Sequence, residues 1–399
     1  MNTEFATAMR RASQQMRAQN LSKATRLIQE ALNRRPWAGE AKTDGAELRV
    51  GLLSSTSQDK VADAPGDAVR PTRMRRPLGE TLGTLKQGRL NPEIFGGLPG
   101  MAFSGLQASA APPRPEGARF ETRSFTCAAG VRSYKVYVPA SARERPRGLI
   151  VMLHGCTQNP DDFALGTGMN AIAEAHGFAV AYPAQTRSYN ASCCWNWFDP
   201  KDQRRDAGEP AIIAGLTRAV VAEFGVDPAH VFVAGLSAGG AMAAVMGKTY
   251  PELYAGVGVH SGLPTGAATD VASAFATMRG DGGAGQKTRS SRPAMRTIVF
   301  QGTADQTVHR SNAERIVANA TPEAASITTE LFAGQAGRRG YTRTVIADPA
   351  GNAVVEQWLI DGAGHAWSGG RSGGSYVDPT GPDASAEMMR FFLGITAAH

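Results

Sequence analysis

The stretch that decides the fold is His230-Val-Phe-Val-Ala-Gly-Leu-Ser-Ala-Gly-Gly240. Its first half is rich in β-branched and aromatic residues and predicts a strand that is buried on both faces. The pattern Gly-x-Ser-x-Gly follows at once, with Ser237 in its centre, and a helix is predicted from Gly239 to Thr249. A sharp turn between such a strand and helix exposes the serine hydroxyl, and small residues on either side make the turn possible. The stretch therefore predicts that Ser237 is a nucleophile.

Strand and helix patterns alternate from about residue 116 to the end of the chain. This alternation is typical of a mostly parallel sheet with helices on both faces. Together with the serine turn, it predicts the α/β-hydrolase fold for residues 116–399. The predicted strands are 134–138, 148–153, 178–182, 230–234, 256–259, 297–301 and 354–360, and the predicted helices are 162–176, 210–224, 239–249, 310–320 and 384–393.

A serine becomes a nucleophile when a histidine removes its proton, and an acid must orient that histidine. In this fold the three residues occur in the order serine, acid, histidine. His365 follows the strand predicted at 354–360, where the last catalytic loop of the fold belongs, so we predict that it is the base. The other histidines after the serine come too early, start a helix or end the chain: His260, His309 and His399.

The acid is predicted to be Asp305, because it follows the buried strand 297–301 and a glycine turn. Two other aspartates fit the position less well. Asp361 lies in the same loop as His365, only four residues away, and would have difficulty reaching its ring. Asp348 falls inside a hairpin-like stretch.

Acyl transfer also needs hydrogen-bond donors for the developing oxyanion. One predicted donor is the backbone N–H of Ala238, directly after the nucleophile. The second is the N–H of Cys156, in the loop that follows the strand 148–153. His154 precedes Ser237 in the chain, so it is expected to support this loop and not to act as the base.

Three tryptophans lie close in sequence to these loops: Trp195, Trp197 and Trp367. An indole can line a cleft for an acyl group or a polymer, or it can pack in the core. For Trp367, two residues from His365, the cleft is favoured. For Trp195 and Trp197 both interpretations stay open.

The chain has four cysteines: Cys127, Cys156, Cys193 and Cys194. They are too few for a disulfide scaffold and lack the paired spacing of a zinc site, so no metal is expected. Cys156 and the pair 193–194 lie in loops at the same predicted sheet edge. One bridge from Cys156 to either member of that pair would brace the loop that follows the strand 148–153, which we call the oxyanion loop. Free thiols are the alternative. A bond within the vicinal pair is disfavoured because its ring is strained.

The composition, with 42% hydrophobic and 19% charged residues, allows a large core and argues against wholesale disorder. The net charge of +7 lies entirely in residues 1–115, which hold 17 Lys+Arg and 10 Asp+Glu. This extension is predicted to contain helix over 4–34 followed by a linker. It is expected either to contact an anionic or interfacial surface or to be a solvated basic extension. No nucleic-acid partner is expected.

No segment is apolar for long enough to suggest a transmembrane helix. The first 36 residues also lack the apolar core of a secretory signal, so the cytoplasm is the expected compartment.

Several blocks together resemble the polyhydroxybutyrate depolymerase family of esterases, which is related to feruloyl and acetylxylan esterases. They are Leu153-His-Gly-Cys-Thr-Gln158, Cys194-Trp-Asn-Trp-Phe198, Gly235-Leu-Ser-Ala-Gly-Gly-Ala-Met242, Gly302-Thr-Ala-Asp305 with Val308-His309, Gly364-His-Ala-Trp-Ser-Gly-Gly370 and Asp378-Pro-Thr-Gly-Pro-Asp-Ala-Ser385. The resemblance implies the triad Ser237, Asp305 and His365. It also implies hydrolysis of short-chain poly(3-hydroxyalkanoate) or small acyl esters, with no metal or organic cofactor. Secreted members of the family would favour an extracellular location instead.

Three functions follow as hypotheses. The first is a polyester depolymerase or carboxylesterase. The second is an esterase for feruloyl or acetyl groups of plant cell walls, which the same triad would serve. The third is a non-catalytic, granule-binding protein on a hydrolase fold, against which the complete set of serine, acid and histidine argues.

Overall fold

The computed structural model describes residues 112–281 and 295–395 of the chain. The chain divides into two units, Met1–Asn91 and Pro92–His399. The helix predicted over 4–34 and the linker after it lie outside the described residues. The boundary placed at residue 115 from the sequence stays a prediction.

A ten-stranded sheet forms the centre of the second unit, with the strand order β1-β2-β4-β3-β5-β6-β7-β10-β9-β8. The six strands from β4 to β10 in this order are parallel, and antiparallel strands extend the sheet at both edges. The strands are β1 (Arg119–Cys127), β2 (Gly130–Val138), β3 (Gly148–Leu153), β4 (Phe178–Pro183), β5 (Val231–Leu236), β6 (Gly256–His260), β7 (Thr297–Gly302), β8 (Ser326–Phe332), β9 (Tyr341–Ala347) and β10 (Ala353–Ile360). A separate two-stranded ribbon pairs β11 (Trp367–Ser368) with β12 (Val377–Asp378).

Helices cover both faces of this sheet. They are α1 (Pro160–Thr167), α2 (Met169–His176), α3 (Gly208–Phe224), α4 (Ala238–Thr249), α5 (Val271–Met278), α6 (Ser311–Ala320) and α7 (Ala384–Phe392). The inner strands β3 to β7 are buried along their whole length, as a strand covered on both faces must be. Alternate residues of β3 enter different apolar clusters, one shared with α3, α4 and α6 and the other with α1, α2 and α7. The predicted α/β-hydrolase fold class is thus confirmed.

The structure differs from the sequence prediction mainly at the sheet edges. The strands β1, β8 and β9 were not predicted, because an edge strand that is covered on few sides carries no continuous apolar run; every residue of β8 but one is exposed. The single helix predicted over 162–176 is two helices, because Gly168 adopts a left-handed φ of 62° and ends α1 there.

None of the helices in the described part of the chain combines the length and the apolar character that crossing a membrane requires.

A buried charge cluster connects the last helix, α7, to the strands β9 and β10. The carboxylate of Glu356 on β10 is 1% exposed and accepts hydrogen bonds from Arg343 on β9, at 3.1 and 3.3 Å, and from Arg390 on α7. Trp358 Nε1–H donates to the same carboxylate at 3.3 Å. Two arginines share one acid, so the acid holds β9, β10 and α7 together.

Replacing this acid is expected to destabilise the protein strongly. Glu356→Ala leaves two arginines largely buried without their shared partner, so we expect the free energy of unfolding to fall by about 3 kcal/mol or more. The matched control is Glu387→Ala, which removes the more exposed carboxylate bound to the same Arg390 and should cost less than about 1 kcal/mol. Urea unfolding measures both values, and equal losses in the two variants would contradict the expectation.

Candidate active site

Ser237 occupies the turn between β5 and α4, as the sequence predicts. Its φ of 57° and ψ of −120° are unusual for a residue with a side chain, and strain of this kind is concentrated at functional sites. The backbone of the turn is held by the N–H of Ser237, which donates to the carbonyl of His260 at 2.9 Å. The serine is 8% exposed.

Glycine is required on both sides of this serine because backbones approach each other closely there. A Cβ on Gly239 would lie 2.0 Å from the carbonyl oxygen of Leu153, and a Cβ on Gly235 would lie 2.6 Å from the same atom. The Gly-x-Ser-x-Gly spacing is therefore a steric requirement of packing β3 against β5 and the start of α4.

The predicted acid and base meet after two neighbouring parallel strands. Asp305 follows β7 and His365 follows β10, and these strands end side by side with Ile360 opposite Gly302. His365 Nδ1 lies 2.8 Å from Asp305 Oδ2. The carboxylate side chain has no solvent exposure and the imidazole is 12% exposed.

The surroundings of Asp305 favour its charged form. Burial alone would raise its pKa, but the hydrogen bond from His365 and the backbone N–H groups of Val308 and Thr307 hold the pKa below the ordinary value for aspartate. Gln301 Nε2–H adds a further hydrogen bond to Oδ2 at 3.1 Å. A carboxylate kept charged in this way can orient a histidine and stabilise its protonated form.

The other candidate histidines and aspartates are placed elsewhere. His260 is fully buried, its Nε2 accepts the N–H of Ser368 at 3.0 Å, and burial lowers its pKa to about 3. The rival Asp361 is exposed, Asp348 accepts the backbone N–H groups of Ala350 and Asn352, and His309 bonds to Ser311 at the start of α6. His399 lies outside the described residues.

The loop after β3 lies against the serine turn. A Cβ on Gly155 would come within 3.7 Å of Ser237 Cβ. Three backbone N–H groups of this loop donate to protein acceptors, those of Gly155, Thr157 and Gln158. Within residues 112–281 and 295–395, the N–H groups of Cys156 and Ala238 donate to no acceptor. The two donors predicted for an oxyanion are therefore free for a ligand, and their role stays a prediction.

His154 sets the direction of the Cys156 N–H. Its Nε2 accepts the N–H of Gln185 at 3.0 Å, so the ring proton lies on Nδ1, which donates to the carbonyl of Gly155 at 2.7 Å. In a trans peptide the C=O and the following N–H point in opposite directions. Holding the Gly155 carbonyl therefore directs the Cys156 N–H away from His154. Burial lowers the pKa of His154 to about 4, so the ring is neutral, which fits the supporting role expected for it.

A disulfide joins Cys156 to Cys194, with a Cα–Cα distance of 4.2 Å. The sequence left Cys193 and Cys194 open as partners, and the structure selects Cys194. Cys127 and Cys193 are half-buried free thiols. The bridge fixes the oxyanion loop to the segment that follows β4.

The three tryptophans are core residues. This corrects the expectation that Trp367 lines a substrate cleft, and it favours the core for Trp195 and Trp197, for which the sequence left both interpretations open. Their exposed fractions are 0% for Trp195, 5% for Trp197 and 1% for Trp367. Trp195 Nε1–H donates to the carbonyl of His154 at 3.1 Å, and Trp367 Nε1–H donates to Ser385 Oγ at 3.1 Å. An indole whose N–H finds an internal acceptor can be buried without penalty, and this outcome is not visible from sequence position.

The sequence analysis missed two buried polar residues that support the site. Gln301 reaches Asp305 and the carbonyl of Val308, and its signal was a single polar residue in an apolar strand. Glu209 at the start of α3 accepts the N–H and side-chain amide of Asn196, both at 2.8 Å, and also binds Gln185. It thereby anchors the segment that carries the second cysteine of the disulfide.

No group of three or more His, Cys, Asp or Glu side chains that could hold a metal ion occurs in the part of the chain that the structure describes.

Comparisons with known proteins place the chain among esterases. The family model described as "Esterase PHB depolymerase" matches residues 132–347. The chain is 33% identical over 258 residues to a poly(3-hydroxyalkanoate) depolymerase C of Paucimonas lemoignei. The matched region covers 62% of this chain and 60% of that protein. It is 28% identical over 271 residues to an acetylxylan esterase of Coprinopsis cinerea, covering 64% and 71%. The chain therefore spans about 60% of the length of the depolymerase.

Among solved structures, an acetyl xylan esterase from Aspergillus awamori superposes with a TM-score of 0.53 at 21% identity, over 69% of this chain and 99% of that one. This likeness supports the fold.

The disulfide leads to a prediction about thiol reactivity. Because two of the four cysteines are bonded to each other, we expect two thiols to react in denaturant without reductant and four after reduction. A thiol reagent with a coloured product counts them. Four reactive thiols before reduction, in protein purified without reductant, would show that the bridge does not form.

Proposed function

Because the chain belongs to the esterase PHB depolymerase family, we propose that it is a serine hydrolase that cleaves carboxylic esters through Ser237, His365 and Asp305. One observation carries the proposal. A histidine bonded to a buried aspartate lies at the carboxyl edge of the parallel sheet that also presents a serine in a strained turn. That set of groups is what acyl transfer to serine needs.

Each residue has a defined part in the proposed reaction. With Nδ1–H of His365 bonded to Asp305, Nε2 accepts the proton of Ser237 as Oγ bonds to the ester carbonyl carbon. The N–H groups of Cys156 and Ala238 donate to the oxyanion that forms. When the intermediate collapses, the alcohol leaves with the proton from His365, and the acyl group stays on Ser237. Water then attacks the acyl group on Ser237, with His365 again taking the proton. The carboxylic acid is released and the serine is restored.

The proposed substrate is a short-chain poly(3-hydroxyalkanoate) such as polyhydroxybutyrate, and small acyl esters would be cleaved by the same chemistry. The family model and the depolymerase relative support this choice. The acetylxylan esterase relative supports a second candidate, an esterase for acetyl or feruloyl groups of plant cell walls. A non-catalytic granule-binding role is disfavoured, because a buried aspartate–histidine pair has no evident use in such a protein.

The first test compares clearing of a polyhydroxybutyrate suspension with hydrolysis of p-nitrophenyl butyrate. Ser237→Ala removes the nucleophile and should lower both activities by at least ~10⁴-fold, and Asp305→Asn should lower them by about 10³-fold or more because the histidine loses its orientation. Ser326→Ala is the control, since Ser326 lies on the exposed edge strand β8 and outside the proposed triad. It should stay within a few-fold of the wild type.

Each outcome has a definite meaning. Full activity in Ser237→Ala would overturn the triad. Hydrolysis of the soluble ester without clearing would move the substrate away from polyester, and cleavage of methyl ferulate or acetylated xylan would then favour the second candidate.

We further propose that the basic extension, residues 1–115, contacts a polymer granule or another anionic or interfacial surface. Its support is the charge distribution, since the whole net charge of +7 lies in this part of the chain. The first unit, Met1–Asn91, contains most of these basic residues.

Removing residues 1–91 should weaken adsorption to polymer more than catalysis. We expect the fraction bound to granules in a pelleting assay to fall severalfold and to depend on salt in the full chain, because charge attraction is screened by ions. Hydrolysis of p-nitrophenyl butyrate should change less than twofold. Equal granule binding with and without these residues would show that the extension has another role.

For the compartment, the disulfide supports a proposal that differs from the cytoplasmic expectation. Disulfides persist mainly in oxidising compartments, and the Cys156–Cys194 bond therefore favours action outside the cytoplasm. Counting free thiols in protein taken directly from its native cells would test this proposal, and a fully reduced protein would refute it.

A further inference from the structure

Gln158 lies where three separate segments of the chain meet. Its side-chain oxygen accepts the N–H of Gly155 at 2.9 Å, within the loop after β3. Its side-chain NH₂ donates to Asp162 on α1 at 3.0 Å and to the carbonyl of Ser375 at 3.2 Å. The side chain is 3% exposed, so these protein contacts replace water on both ends of the amide.

Asp162 and Ser375 are bound to each other as well. Asp162 Oδ1 accepts the N–H of Ser375 at 2.8 Å, and its Oδ2 accepts the Ser375 hydroxyl. Because Asp162 Oδ2 accepts, the NH₂ end of the Gln158 amide faces Asp162. The oxygen end of the amide then faces the N–H of Gly155. Ser375 lies between β11 and β12, in the segment that follows His365, so the cluster connects the loop after β3 to that segment.

Gly155 needs this support because a glycine has no side chain to restrict its backbone angles. The peptide between His154 and Gly155 is held at both ends, with its carbonyl bonded to Trp195 Nε1–H and its N–H bonded to Gln158. The following peptide carries the Cys156 N–H. Its carbonyl is bonded to His154 Nδ1–H, so His154 and Gln158 restrain Gly155 from its two sides. If the Gly155 N–H lost its acceptor, one of these restraints would be gone, and rotation about Gly155 would turn the Cys156 N–H more easily.

We propose that Gln158 is a positioning residue that holds the Cys156 N–H in the direction of the oxyanion, with Asp162 and Ser375 fixing the orientation of its amide. This inference rests on the proposed ester hydrolysis at Ser237. Gln158 then contributes to binding of the transition state as well as to packing, because its amide restrains the peptide that precedes the Cys156 N–H.

The experiment measures Gln158→Leu, which keeps the side-chain size and removes both hydrogen-bonding ends. We expect kcat for p-nitrophenyl butyrate to fall about tenfold or more while KM changes less than threefold, because a misdirected donor weakens only the transition state. The Ki of a trifluoromethyl ketone, whose adduct carries an oxyanion, should rise by a similar factor. Active sites are counted with a fluorophosphonate, so that unfolded protein does not lower the measured kcat.

Two further variants separate positioning from general structure. Ser375→Ala removes only the hydroxyl from the cluster and should give a smaller loss, about two- to threefold, in the same parameters. Gln203→Leu is the matched control, since Gln203 likewise accepts a backbone N–H, from Gly266, and donates to a carbonyl, that of Ala268. These hydrogen-bond partners lie outside the loop after β3, so the variant should leave kcat per active site and Ki within twofold of the wild type.

Hydrogen exchange of a peptide covering residues 153–158 provides a readout independent of activity. Faster exchange in Gln158→Leu but not in Gln203→Leu is expected. Unchanged kcat per titrated site, or equal losses in the two glutamine variants, would overturn the inference. If the wild type itself hydrolysed no ester, the proposed function would fail, and unchanged exchange in Gln158→Leu would still refute the restraint on Gly155.

Discussion

The close approach of two backbone segments at Gly235 and Gly239 is the constraint on which the rest of the site depends. The carbonyl oxygen of Leu153 would lie 2.6 Å from a Cβ on Gly235 and 2.0 Å from a Cβ on Gly239. Only hydrogen fits there, so any side chain would push β5 and α4 away from the end of β3. The same approach brings the loop after β3 against Ser237.

Around this turn, polar groups removed from water hold the loops in one arrangement. A buried polar group without a partner is costly, so each satisfied donor or acceptor restricts the positions available to its loop. His154 accepts from Gln185 and donates to Gly155, which leaves a single ring tautomer. Asp305 accepts hydrogen bonds from His365 and from backbone N–H groups of its own loop. The His154 ring, the Gly155 carbonyl and the His365 ring are therefore held in fixed orientations by the protein itself.

Core packing and a disulfide also hold the oxyanion loop in place. The Cys156–Cys194 disulfide and the indole of Trp195, which bonds to the carbonyl of His154, connect the oxyanion loop to the segment after β4. Glu209 anchors that segment to α3 through Asn196. Trp195 and Trp367 are thus part of the framework of this region, and their indole N–H groups donate to a carbonyl and a hydroxyl oxygen inside the protein.

The sequence by itself determined the features that depend on local pattern. Apolar runs predicted the inner strands, and the Gly-x-Ser-x-Gly pattern predicted the sharp turn between β5 and α4 that carries Ser237. Because parallel strands end at one edge, the positions of Asp305 and His365 after their strands were enough to predict that they meet. Only the tertiary structure decided the partner of Cys156, the burial of the tryptophans and the edge strand β8. It also decided the contact of Gln158 with Ser375, 217 residues away. Such contacts are set by how distant segments pack, and no short-range pattern in the chain records them.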